Sequence, residues 1–121
     1  MSDNDTTTRR GRLAEEAAAR FLERRKLVVI ARNHRCGGGE IDLICRDGGT
    51  LVFVEVRLRR NADFGGAAAS ITPAKQRRIV LAARHYLATM GKRGLDCRFD
   101  CVLLDGENIE WIRDAFQRTE V

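Results

Sequence analysis

The chain predicts an α/β domain, a mixed sheet covered by helices on both faces, in the order α-β-β-β-α-β with a short extra strand at the C-terminus. Three observations predict it. Apolar residues recur at three- and four-residue steps from Arg9 to Lys26 and again from Thr72 to Met90, the spacing of helices that each bury one side. Between them, Gly38 to Arg57 alternates with the period of two that strands show. A length of 121 residues with 44% hydrophobic content fits one compact domain and leaves no room for a second.

Residues 1–8 are polar and are expected to form a disordered tail ahead of a single domain over 9–121. In the first helix Leu13, Ala14, Ala17, Ala18, Phe21 and Leu22 form the apolar stripe, and its small residues allow close approach to a sheet. Glu15 lies at the edge of that stripe and Glu16 points further outward. Leu27 to Ile30, continuing through Asn33, reads as a first strand. Gly37, Gly38 and Gly39 then make a bend, either a plain turn or a place where a ligand approaches the backbone. Two further strands flank Gly48-Gly49, a preferred hairpin centre.

Arg59, Arg60 and the stretch from Asn61 to Ser70, with Phe64 inside it, form a connection leading away from the hairpin. Thr72-Pro73 is a helix start, a hydroxyl N-cap followed by proline at the first helical position. That helix runs to about Met90 and stops at Gly91. Ile79, Ala82, Tyr86 and Met90 define its buried stripe, and Lys75 at the head of the stripe points toward the sheet. Cys97 to Leu104 is the next strand, and Ile109 to Ile112 a last, shorter one after the Asp105-Gly106 turn.

The hairpin carries the chemistry. With Gly48 and Gly49 at its centre, the register sets Asp42 opposite Glu55 and Glu40 opposite Arg57. Opposed side chains on antiparallel strands stand about 5 Å apart at Cβ, where like charges are destabilising unless something offsets them. A hard divalent cation such as magnesium does so, since it takes oxygen ligands from one or two carboxylates and completes its shell with water and phosphate. The plainer reading is a solvated polar face in which Glu40 pairs with Arg57.

Charge is one-sided along the chain. The formal total is +5, and from Arg57 to Arg93 nine Lys or Arg stand against the single acid Asp63. Such a basic block suits a polyanion, and Arg59, Arg60, Arg77, Arg78 and Arg84 are its candidate phosphate contacts. A solvated helix face is the alternative. No apolar run approaches the roughly 20 residues of a membrane span, and the N-terminus lacks a signal-peptide core, so a soluble cytoplasmic protein is expected. Cys36, Cys45, Cys97 and Cys101 show no C-x-x-C pairing, and they read as reduced core or strand cysteines rather than a zinc site.

Asp42 followed at a distance by Glu55-Val56-Arg57 resembles the D-x(n)-E-x-K signature of the PD-(D/E)XK nuclease superfamily. More closely, G-E-I-D-L-I with V-F-V-E-V-R is similar to the YraN-like family of small bacterial proteins that carry this endonuclease-like core. The likeness continues through Gly11, Glu15, Asn33, Phe64-Gly65, Lys75, Arg98-Phe99-Asp100 and Trp111-Ile112. It implies a restriction-endonuclease-like three-layer α/β/α fold. It also implies a site in which Asp42 and Glu55, with the Val56 carbonyl and the helix residue Glu15, hold magnesium or manganese. Arg57 stands where the superfamily pattern has lysine. An arginine grips phosphate but cannot act as a general base, and Lys75 is placed to supply the missing ammonium.

The resemblance thus implies a metal-dependent nuclease acting on DNA that is branched, damaged or single-stranded. The alternative is a nucleic-acid-binding module of the same fold, catalytically weak or inactive. A protein-interaction role in a nucleic-acid-processing assembly is the third reading.

Overall fold

The computed structural model describes residues 3–58, 71–91 and 95–117. Arg59, Arg60 and Phe64 lie outside the described residues. The described elements are α1 (Asp3–Arg24), β1 (Val28–Cys36), β2 (Gly39–Asp47), β3 (Thr50–Leu58), α2 (Pro73–Thr89), β4 (Asp96–Asp105) and β5 (Asn108–Phe116). They form a sheet in the order β1-β2-β3-β4-β5, antiparallel except where β3 runs parallel to β4. The one parallel pair follows from the crossover through α2, since parallel neighbours need a long connection. With a helix against each face of this mixed sheet, the fold is the expected restriction-endonuclease-like α/β/α arrangement.

Each face has its own core. Ala14, Ala18, Ala19 and Leu22 of α1 pack with Leu43, Cys45, Val52, Val54, Val102 and Leu104. Ile79, Val80, Ala82, Ala83 and Tyr86 of α2 pack with Ile41, Ile44, Leu51, Phe53, Phe99, Cys101 and Leu103 on the other face. β3 is buried on both faces from Leu51 to Val54, which is why those residues read as an unbroken apolar run. Cys45 and Cys101 belong to these cores, and burial pushes both thiols up to about 12, so they remain thiols.

Several expectations need correction. α1 begins at Asp3, ahead of the expected start at Arg9; no proline interrupts the chain there, and threonine is a weak helix former rather than a breaker. Leu13 and Met90 are exposed, at 64% and 54%, because each lies off the stripe that meets the sheet. β5 is as long as its neighbours rather than a short addition. β1 continues past Asn33 to Cys36.

Two contacts seat α2. A Cβ on Gly39 would lie 2.7 Å from the Arg78 carbonyl oxygen and 2.9 Å from the Ala82 nitrogen, so glycine lets the helix backbone cross directly over the start of β2. The close approach foreseen for this bend is made by the helix, not by a ligand. His34 of β1 and His85 of α2 share a hydrogen bond, Nε2 to Nδ1 at 3.0 Å, and burial lowers the His34 pKa. Thr72 caps the helix as expected, accepting from the Lys75 N–H at 3.2 Å.

Asp100, which the sequence left without a role, is a structural hub. Its carboxylate is 1% exposed as a residue and accepts from Arg98 Nε and Nη2 at 2.9 and 3.0 Å, from Trp111 Nε1 at 2.9 Å and from the Asp114 N–H at 2.9 Å. Arg98 also reaches Asp47 at 3.1 Å, tying the hairpin turn to β4. Asp114 stands at φ 54 where the β4–β5 register shifts, and that irregularity turns its N–H inward. Removing the Asp100 carboxylate leaves the Trp111 indole N–H and the Asp114 N–H without their acceptor and Arg98 with Asp47 alone. Asp100→Ala is therefore expected to destabilise the fold by about 3–5 kcal/mol in urea unfolding, with Asp100→Asn milder; a loss below about 1 kcal/mol would refute the role.

Candidate active site

The expected hairpin register holds through Leu43–Val54, with Ile44 opposite Phe53 and Asp47 opposite Thr50. Beyond it the ladder changes. The Asp42 side chain reaches across the strands and its Oδ2 accepts the Val56 N–H at 2.8 Å. Ile41 correspondingly turns to the α2 face with Ile44, instead of sharing a face with Leu43. A strand residue presents its N–H and C=O to the same neighbour, so the Val56 carbonyl also faces the β2 side.

At this end of the sheet a cavity of about 480 Å³ opens, lined by Gly11, Ala14 and Glu15 of α1, Glu40 and Asp42 of β2, Glu55, Val56 and Leu58 of β3, and Lys75, Arg78 and Ile79 of α2. It lies beyond the carboxyl end of β3, the side on which open α/β sheets bind ligands. Asp42, 8% exposed, is at its floor. Burial lifts the Asp42 carboxyl far above the usual carboxylate range, to about 8. A hydrogen bond to Glu55 and the Glu55 charge add to the rise, while the Val56 N–H and the Lys75 ammonium oppose it. The Glu15 carboxyl is raised by burial and then by Asp42, with an Asn33 hydrogen bond working against the rise. Asn33, at φ 48, lies on the strand next to β2.

Of the residues singled out from the sequence, Asp42, Glu55, Val56, Lys75 and Glu15 come together in this cavity. Arg57 does not line it; it is half-buried one residue further along β3, and its charge is felt at Cys101. Glu40 does not pair with Arg57 as expected. It faces Arg35 across β1–β2, at 3.4 Å, because the Gly37-Gly38 turn sets that register. Among the expected phosphate contacts Arg78 lines the cavity, whereas Arg77 and Arg84, seven residues apart, share the exposed side of α2. Glu40 and Gly11 are lining residues that sequence reasoning left out. Glu40 had a signal, its place on the Asp42 side of the same strand.

The donor set suits a hard cation. Two carboxylates, a backbone carbonyl and a third carboxylate nearby are all oxygen, and burial first, with Glu55 adding to it, disfavours the Asp42 charge that a divalent ion would offset. Among the described residues no three Asp, Glu, His or Cys side chains are already drawn together as a ligand set, so Glu15 stands beside the Asp42–Glu55 pair rather than within it.

A sequence model of the uncharacterised protein family UPF0102 matches residues 14–104, which include the acid pair and Lys75. A UPF0102 protein of Dechloromonas aromatica is 69% identical over 113 residues, covering 93% of this chain and 92% of its own. One from Cupriavidus taiwanensis is 60% identical over 108 residues, covering 88% and 82%. One from Nitrosospira multiformis is 56% identical over 110 residues, covering 88% and 92%. Among the described residues no helix is long and apolar enough to cross a membrane.

The raised Asp42 pKa makes a stability prediction. Between the ordinary value of 3.8 and about 8 the folded chain holds a proton that the unfolded chain has released, so stability falls as pH rises through this window. The cost is absent below the window and complete above it. Asp42→Asn keeps an acceptor for the Val56 N–H and removes the charge. The variant should therefore be more stable than wild type to urea at pH 8.5 without metal, by on the order of a few kcal/mol, and match it near pH 4. Equal pH profiles for the two proteins would show that Asp42 is not held in an unfavourable charge environment.

Proposed function

The chain belongs to the uncharacterised protein family UPF0102, and from that membership together with the acid pair at the cavity floor we propose that it is a magnesium- or manganese-dependent nuclease hydrolysing phosphodiester bonds in nucleic acid, with DNA the expected substrate. The observation that carries the reading is the buried Asp42 carboxyl set against Glu55, with Lys75 lining the same open pocket. A buried acid with strongly perturbed titration in a cleft, as Asp42 is, marks a candidate reaction site.

Asp42, Glu55 and the Val56 carbonyl would hold the ion, with Glu15 lining the same pocket. A divalent ion there would supply polarisation of a phosphoryl oxygen and a lowered pKa of bound water. The chain's own groups do the rest. Lys75, projecting from the first turn of α2, donates to the attacking water or to a phosphoryl oxygen on which charge grows. Arg78 holds a phosphate at the pocket wall, and the apolar lip of Ala14, Leu58 and Ile79 limits how much bulk water shares the site. The oxygen of water bonds to phosphorus as the bond to a sugar oxygen breaks, leaving a phosphate monoester and an alcohol.

One observation favours a second reading, a module that grips nucleic acid without cutting it. Arg57 occupies the superfamily's lysine position, and its side chain does not line the pocket. Cleavage of labelled branched and single-stranded DNA in manganese separates the two. The nuclease reading expects activity that is abolished in Asp42→Ala and Glu55→Ala, falls roughly 100-fold or more in Lys75→Ala, and falls less in Arg57→Ala. Identical cleavage by the acid variants would identify a contaminant. No cleavage by wild type, with salt-sensitive binding that survives Asp42→Ala, would establish the binding module instead.

A further inference from the structure

The pocket has a second bank that the proposed chemistry leaves unused. Gly11 lies well inside α1 and lines the cavity. Glycine is the poorest helix former after proline, so its presence there asks for a cause. Packing supplies none: a Cβ on Gly11 would meet no atom within 4 Å, unlike Gly39, whose Cβ would strike the α2 backbone. The side of α1 at Gly11 is open to whatever enters the pocket. Arg10 and Arg12 stand about 100° to either side of it around the helix. Both are exposed, and neither is ion-paired with a described side chain. Arg78 lines the wall opposite.

We propose that Arg10-Gly11-Arg12 is a phosphate-backbone grip, and that a single strand of nucleic acid passes between α1 and α2 with one phosphate over Asp42 and Glu55. Glycine leaves room for the sugar-phosphate chain to run against the helix, and the two guanidinium groups straddle it as bidentate phosphate donors. This rests on reading the pocket as a nucleic-acid site and adds the class of substrate. A strand freed from its complement bends into a recess between two helices, whereas duplex phosphates ride on a rod stiff over about 150 base pairs. Recognition is through the backbone. Among the described residues no aromatic side chain lines the pocket, and Phe53, Tyr86 and Phe99 are in the core, so the groups that hold the strand there are charged and polar.

The test is fluorescence anisotropy of a labelled mixed-sequence single strand across a range of salt, with calcium replacing magnesium to hold off cleavage. Arg10→Ala/Arg12→Ala should bind about tenfold or more weakly and lower the salt slope by about 1.4, two phosphates at roughly 0.7 each. Gly11→Leu should also weaken binding while raising the melting temperature, since leucine favours the helix, and so a loss cannot be misfolding. Arg24→Ala/Arg46→Ala removes the same charge from exposed positions away from the pocket and sets the reference for a bulk electrostatic effect. If wild type binds and both α1 variants match that reference, the grip is refuted while the nuclease reading stands. If wild type binds no strand, the reading of the pocket fails and the grip with it. Equal affinity for a duplex of the same sequence would overturn the single-strand assignment.

Discussion

Two carboxyl groups held against each other in a half-closed recess are the constraint around which this molecule is arranged. Asp42 is buried, Glu55 stands against it, and among the described residues the Val56 N–H is the backbone donor that steadies Asp42. Such an arrangement lowers stability, and it persists because the sheet on either side is densely apolar. Leu43, Cys45, Val52 and Val54 are sealed by α1, and Ile44, Leu51 and Phe53 by α2. The same bond from Val56 to Asp42 takes the place of the next ladder rung. The strands therefore part there, and the parting is the floor of the cavity.

The chain contains a control for this argument in its second buried aspartate. Asp100 is more deeply enclosed than Asp42, yet Arg98, Trp111 and the Asp114 N–H satisfy it from every side. A carboxylate so surrounded holds β4, β5 and the hairpin turn together and needs no further partner. Asp42 has a carboxyl where Asp100 has a guanidinium. The two environments separate a carboxylate satisfied within the fold from one set against another acid at a pocket. Around the second, Gly39 and the His34–His85 bond seat α2 close over β2, and the Thr72 cap starts the helix where Lys75 reaches the acids.

Local signals were the legible ones. Gly48-Gly49 sets the hairpin, the hairpin sets Asp42 against Glu55, and Thr72-Pro73 starts a helix whose first turn carries Lys75 inward; each step spans few residues. What escaped depends on contacts distant in sequence or on departures from regular backbone. Glu40 meets Arg35 because a different turn governs β1, and Asn33 reaches Glu15 from a left-handed conformation that no periodicity announces. The purpose of Asp100 needed the β5 irregularity at Asp114. The alternation placed Arg57 beside Glu55, but its side chain stays out of the cavity that Glu55, Val56 and Leu58 line, and only the packed helices define that boundary. The basic block after Arg57 drew attention to α2, while the arginines flanking Gly11 became meaningful only once α1 was seen to wall the same pocket.

The most direct measurement is a calorimetric titration of manganese into the metal-free protein at neutral pH, repeated in two buffers of different protonation enthalpy and with Asp42→Asn and Glu55→Gln. The account predicts saturable binding in wild type, with a proton released as the ion displaces the one held between the two carboxyls, and loss of that binding in both variants. Binding that both variants retain, or no binding in wild type with or without a single-stranded oligonucleotide, would contradict the claim that Asp42 and Glu55 are a cation site.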